Sequence, residues 1–239
     1  MNLLLIRPEE LDPERNFTVA GERAEHIRNV LRAKPGDSVK TGLLGGKIGT
    51  ATLISIEKEK AVLHAGSFET NPPVPLSLSL VTALPRPQTF KKTLHFAVSA
   101  GIRKLVFIQS VRVEKSYWKS PVLEQDSLDS EIREALEQGV DTIPPELHFF
   151  RSFRDFLDAE KTLFTENSIR LIAHPGEKPR KESLKGKHIV LAIGPEGGFV
   201  RTEIEAFARC GWQPAGFGAH ILRTEFAAAF ITGYLEGLR

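Results

Sequence analysis

His188-Ile189-Val190-Leu191-Ala192-Ile193-Gly194-Pro195-Glu196-Gly197-Gly198-Phe199 is the stretch whose reading decides the fold. Its apolar run from 188 to 193 reads as a buried strand. The segment after it, Arg201-Thr202-Glu203-Ile204-Glu205-Ala206-Phe207-Ala208, reads as a helix start with acidic residues in the first turn. Between the two, Gly194, Gly197 and Gly198 let the backbone come close to a ligand where a Cβ would clash. In open α/β sheets, ligands bind outside the carboxyl ends of the strands, where such turns lie. An ordinary strand-to-helix turn explains these glycines equally well. A second stretch tips the balance: Gly218-Ala219-His220-Ile221-Leu222-Arg223-Thr224-Glu225 leads another glycine-bearing turn into a helix-like pattern one supersecondary unit downstream.

Working outward, strand and helix patterns alternate from residue 76 onward. Leu76–Thr82, Lys104–Ile108 and Ser168–His174 read as strands; Gln88–Ala100, Leu123–Gln138 and Phe226–Leu238 read as helices. Such alternation implies a mostly parallel, layered α/β sheet. Asn71-Pro72-Pro73-Val74-Pro75 is a stiff linker, which gives domains at 1–70 and 76–239. The first is β-rich: strands are expected at Phe17–Val19, Ser38–Leu44, Lys47–Ile56 and Ala61–His64, with a hairpin turn at Gly45-Gly46 and one helix from Ala20 to Ala33. A small β-barrel fits this pattern.

The 239 residues are 41% hydrophobic and 26% charged, ordinary values that allow a sizeable core. A single cysteine, Cys210, excludes an intramolecular disulfide framework and a Cys-rich zinc site. A reducing, cytoplasmic setting is expected. The apolar N-terminal run is too short for a signal peptide, and no segment is long enough to cross a membrane. The net charge of +2 says little; its distribution says more. Residues 83–120 hold eight basic side chains (among them Arg86, Lys91 and Arg112) against one acid, and they include Tyr117 and Trp118. Basic residues interleaved with aromatics suit a nucleic-acid backbone and unstacked bases. A solvated helix face with a strand explains the charge as well. The seven histidines show no HxxxH spacing, and no metal is expected.

The Gly-Pro-Glu-Gly-Gly at 194–198, the Ile-Leu-Arg-Thr-Glu at 221–225, and His26-Ile27-Arg28-Asn29-Val30-Leu31-Arg32 followed by Pro35-Gly36-Asp37 together resemble the SPOUT class of RNA methyltransferases. Within it the chain is similar to the RsmE-type family, which methylates N3 of a uridine in 16S ribosomal RNA. The resemblance implies S-adenosylmethionine as methyl donor, ribosomal RNA of the small subunit as partner, and a homodimer with its sites near the subunit interface. It also implies a PUA-like barrel that helps to bind RNA, followed by a deeply knotted α/β domain.

For the site, the resemblance and the residues combine. The cofactor would lie on Ile193, Gly194, Pro195, Gly197 and Gly198, on Phe217, Gly218, Ile221 and Leu222, and on a third loop, His174-Pro175-Gly176. A plain strand-ending turn explains that third loop too. Glu196, Arg223 and Glu225 are the catalytic candidates. Glu196 either bonds amides at a helix N-terminus or faces the substrate; Arg223 holds a phosphate or the base bidentately; Glu225 orients Arg223 or helps to remove the N3 proton. Thr224 reads as a helix cap. His26, Arg28, Arg32, Arg86, Lys91 and Arg112 are the candidate RNA contacts. The chain departs from the family's usual residues at Ala100, at Val140-Asp141, at His220 and at Phe226. These departures leave room for a related enzyme with another target nucleotide, or for a non-catalytic RNA-binding or ribosome-assembly protein on the same fold.

Overall fold

In the computed structural model, residues 2–176, 178–179 and 184–238 are described. The chain forms two compact units, Met1–Val74 with Ile132–Pro144, and Pro75–Glu131 with Pro145–Arg239. No helix among the described residues is long and apolar enough to cross a membrane.

The first unit contains β1 (Leu4–Ile6), β2 (Asn16–Ala20), α1 (Glu22–Asn29), β3 (Ser38–Leu43), β4 (Ile48–Ile56) and β5 (Lys60–Thr70). They make one five-stranded sheet in the order β1-β3-β4-β5-β2, antiparallel except for the β1–β3 pair. Alternation along β2 and β4 sends Phe17, Val19, Ala51 and Leu53 into a core shared with Ile27 of α1. The helix is shorter than the expected 20–33. It stops at Asn29, and Arg32 takes a φ of 53°, so the chain turns back into the Lys34–Asp37 turn that opens β3. There the Asp37 carboxylate accepts from the Lys34 amide at 2.7 Å. β1 is an edge strand whose free side is closed by side chains rather than by another strand. Glu137 accepts from the Leu5 amide at 3.0 Å, and Arg23 donates to the Leu5 carbonyl at 2.5 Å. Burial pushes the Glu137 carboxyl up, against the opposing pull of that amide and of Arg23.

The second unit contains β6 (Leu78–Ala83), α2 (Pro87–Ser99), β7 (Lys104–Ile108), α3 (Gln125–Gly139, whose last residues fall in the first unit), β8 (Glu146–Phe150), α4 (Phe153–Leu163), β9 (Ile169–Ala173), β10 (Ile189–Ile193), α5 (Arg201–Arg209), β11 (Gln213–Ala215) and α6 (Thr224–Gly237). Its six strands are all parallel, in the order β11-β9-β10-β6-β7-β8. β6 and β10 are buried along their whole length, as central parallel strands covered on both faces must be. The sequence reading missed β8 and α4: Glu146-Leu147-His148-Phe149-Phe150 mixes polar and apolar residues without a clean period.

Two of the departures from the family pattern are local terminators. Ala100 is the C-cap of α2, and Gly101 (φ 78°) ends it, with the Ile102 amide bonded back to the Ala97 carbonyl. Asp141 is buried and accepts from the amides of Thr142 and Ile143, at 2.7 and 3.1 Å, just beyond α3.

Candidate functional site

β9, β10 and β11 are neighbours in a parallel sheet, so the loops that follow them leave the same edge. β6 and β10 are also neighbours, and the chain reverses its direction of travel across the sheet between them. Such a switch point opens a crevice.

The loop after β10 is folded tightly on itself. The Gly198 amide bonds the Pro195 carbonyl at 2.7 Å, with Gly198 at φ 72°. A Cβ on Gly194 would lie 2.9 Å from the Phe199 nitrogen, so only glycine fits. Phe199 anchors the end of the loop, its ring 5.1 Å from that of Phe207 within an aromatic cluster that includes Phe153, Phe156 and Trp212. Ile193, Gly194 and Pro195 are buried; Glu196 and Gly197 face outward.

The loops after β9 and β11 pass back to back. The His174 amide donates to the Ala215 carbonyl at 3.2 Å, and a Cβ on Gly216 would lie 2.4 Å from the Gly176 carbonyl oxygen. Phe217 rests against Tyr234 of α6, 5.9 Å between ring centroids. Beyond it the chain is bare: Ile221 is 98% exposed, and Leu222 and Arg223 are exposed as well. At Gly198 and Gly218, an added Cβ would meet nothing within 4 Å. Backbone glycines beside unpartnered apolar side chains suit an adenosine-sized ligand that is held by main-chain groups and an apolar slot.

The catalytic candidates separate. Arg223 occupies the N-cap position of α6 without a side-chain cap, and among the described residues it makes no ion pair. Thr224 is not the cap expected from sequence; it is the first helical residue and is buried. Glu225 does not orient Arg223: it is mostly buried and sits 3.8 Å from Lys92 of α2. Glu196 does not cap a helix either, and pairs with Arg86 at 3.3 Å on the surface. The carboxylate that does cap α5 is Glu203, which the sequence marks only as an acid in the first turn of that helix. It is 3% exposed and accepts from the Val200 amide (2.9 Å), the Val111 amide (2.9 Å) and the Ser110 hydroxyl (3.2 Å). Its only sequence signal was a glutamate at the third helical position, without the Ser or Thr that completes a capping box.

Of the basic candidates in this unit, Arg112 donates to the Gly197 carbonyl, and Arg86 reaches Glu196. Lys91 is engaged elsewhere, with Glu131 of α3. Trp118 is buried, donates to Gln109 Oε1 at 2.5 Å and lies under the Arg151 guanidinium, so it is unavailable to a base. Tyr117 is the more open of the pair. Burial pushes its phenol up, and the carboxylates of Glu114 and Glu196 add to the shift. In the first unit, His26 and Arg28 lie on α1 and Arg32 in the loop after it.

Comparison with known proteins agrees with this geometry. The RNA methyltransferase domain family matches residues 72–236, and the RNA methyltransferase PUA domain matches residues 19–65. Ribosomal RNA small subunit methyltransferase E 1 of Borreliella burgdorferi is 26% identical over 238 residues, covering 97% of each chain. A Legionella pneumophila protein solved in complex with the bound cofactor SAM superposes with a TM-score of 0.79 at 22% identity, over 99% of this chain and 97% of that one. Ribosomal RNA small subunit methyltransferase E of Neisseria gonorrhoeae, bound to S-adenosyl methionine, gives a TM-score of 0.73 at 22% identity, over 100% and 98%. A glycine-lined edge on an all-parallel sheet, in a chain matched by that family over most of its length, has one reading: the chain belongs to the RNA methyltransferase family and carries that family's PUA domain ahead of its methyltransferase domain.

Proposed function

We propose that this protein methylates N3 of a uridine in 16S ribosomal RNA of the small subunit, with S-adenosylmethionine as donor, in the cytoplasm and as a homodimer. The observation that carries the donor is the set of three loops, 174–176, 194–200 and 216–223, that leave one edge of the parallel sheet. The rRNA target is supported by the small-subunit relatives named above and by the PUA domain.

The cofactor would be held by main-chain groups of His174, Pro175 and Gly176, of Ile193, Gly194, Pro195, Gly197 and Gly198, and of Phe217 and Gly218. Ile221 and Leu222 would close its apolar side. S-adenosylmethionine supplies a methyl group made electrophilic by a sulfonium. The residues around it align the uridine and handle its N3 proton. Arg223, with no ion-pair partner among the described residues, donates to a base oxygen and stabilises the negative charge that develops as N3 loses its proton. Glu196 is the exposed carboxylate and takes that proton. Glu225, tied to Lys92, holds the first turn of α6 in place beneath Arg223. Arg86 and Arg112 face RNA phosphates, with His26, Arg28 and Arg32 as further contacts from the PUA domain.

The homodimer is supported by α6, where Phe226 and Phe230, one turn apart, are 58% and 51% exposed and continue the bare apolar run of Ile221 and Leu222. A second copy of the chain would cover them.

The test is transfer of a tritiated methyl group from S-adenosylmethionine to small ribosomal subunits that lack the modification, followed by nucleoside mapping. Label in 3-methyluridine is the expected result. Label in another nucleoside would move the target. No label with a folded, cofactor-binding protein would overturn the enzymatic reading.

A further inference from the structure

We infer that Glu203 is a positioning residue of the methyl-transfer site, locking the loop after β7 onto the loop after β10 so that Gly197–Val200 is held ready for the cofactor; this rests on the S-adenosylmethionine reading above. A carboxylate buried to 3% exposure is costly unless donors surround it. Capping α5 needs one bond, and the Val200 amide supplies it at 2.9 Å. The other two bonds, from the Val111 amide and the Ser110 hydroxyl, come from a loop more than ninety residues earlier in the chain and do nothing for the helix. The next residue of that loop, Arg112, donates to the Gly197 carbonyl and lies 3.5 Å from that of Gly198. The fit there is close, since a Cβ on Gly197 would sit 2.9 Å from Arg112 Cδ.

The two loops are therefore tied at both ends of a four-residue span, by a carboxylate at Val200 and by a guanidinium at Gly197. Releasing the first tie leaves the Val111 amide and the Ser110 hydroxyl without their acceptor and loosens the Val111–Arg112 stretch, although Gln109 Nε2 still holds the carbonyls of Ser110 and Val113. The glycine loop then loses the support that preorganises it. Substitution Glu203→Gln keeps the shape but turns an NH2 toward an amide N–H, donor against donor, so at least one tie is lost.

The experiment measures kcat and the KM for S-adenosylmethionine, together with Tm, for wild type and three variants. Ser152→Ala serves as the matched control: it removes the Oγ that accepts from the Asp155 amide at 3.2 Å, a helix cap of α4 outside the site. Glu203→Gln should raise the KM for S-adenosylmethionine about tenfold or more, with a smaller change in kcat. Ser110→Ala, which removes one hydroxyl, should raise it about two- to threefold. Ser152→Ala should lower Tm and leave KM alone. The inference is overturned if Glu203→Gln lowers Tm as Ser152→Ala does and keeps its KM within about twofold of wild type. Should Glu203→Gln fail to fold, Ser110→Ala decides, and an unchanged KM sinks the proposal. If wild type neither binds nor uses S-adenosylmethionine, the functional reading falls before the variants are compared.

Discussion

Substitution Gly216→Ala adds one methyl group at the point where the loops after β9 and β11 cross. The added Cβ would lie 2.4 Å from the Gly176 carbonyl oxygen and 3.2 Å from its carbonyl carbon and amide nitrogen. Carbon–oxygen contacts settle at about 3.3 Å or more, so the loops must part by roughly 0.9 Å. Backbone opposes backbone here, and no side chain can swing aside. Gly216 does not have a left-handed φ, so alanine carries no conformational penalty and the whole effect comes from the clash. Overpacking of this kind costs about 2 kcal/mol, which for a domain of this size lowers Tm by about 4–8 °C. A displacement near 1 Å in a binding loop costs about a hundredfold in function. The expected result by calorimetric titration is a Kd for S-adenosylmethionine raised by about that factor, in a protein that melts cooperatively. A lower Tm with an unchanged Kd would refute the placing of these two loops at the cofactor. An unchanged Tm would refute the close approach itself.

Arg223→Ala should lower kcat for methyl transfer by about 10²–10³-fold, the cost of losing one charge-stabilising donor, while the Kd for S-adenosylmethionine by titration stays within about twofold; full activity would remove Arg223 from the mechanism. The double substitution Phe226→Asp with Phe230→Asp should convert a dimer to a monomer in sedimentation velocity, because it places two carboxylates on the apolar face of α6; an unchanged sedimentation coefficient would put the interface elsewhere. Glu131 supplies the pH test. Burial pushes its carboxyl up, yet hydrogen bonds from Lys91 and His95 outweigh that and hold it below 4.5. A depressed carboxylate contributes stability that is present above its unfolded value and is lost as pH falls through the folded one. Urea titrations should therefore show wild type about 1 kcal/mol more stable than Glu131→Gln at pH 7, with the gap closing below about pH 4.5; a gap independent of pH would contradict the pairing.

Periodicity served the central elements well because burial is what makes them. β6 and β10 are buried along their whole length; β10 is wholly apolar, and β6 is interrupted only by the buried hydroxyls of Ser79 and Thr82, as strands covered on both faces require. The glycine-bearing turns at 194–198 and at Gly218 were legible too, since residues without a Cβ are informative wherever backbone meets backbone or ligand; the close approach of Gly216 to Gly176 was not. Less legible were α1, which a turn at Arg32 cuts short, and β8, whose mixed residues hide its pairing with β7. The return of residues 132–144 to the first unit was likewise unmarked: Glu137 and Asp141 read as ordinary acids until Leu5, Arg23, Thr142 and Ile143 are seen around them.

The sequence by itself determined the parallel α/β layering, the β-rich first unit and the glycine-bearing turns, because these follow from hydrophobic period and from residues without a Cβ; the family was legible only as a resemblance carried by the motifs at 194–198, 221–225 and 26–37. Only the tertiary structure decided which charges find partners within the chain. It tied Glu225 to Lys92 and Lys91 to Glu131, buried Trp118, left Arg223 without an ion-pair partner among the described residues, and made Glu203 a clamp between two loops. The reason is physical: a carboxylate or an ammonium looks the same in sequence wherever it lies, and its role is set by desolvation and by partners that lie far away along the chain.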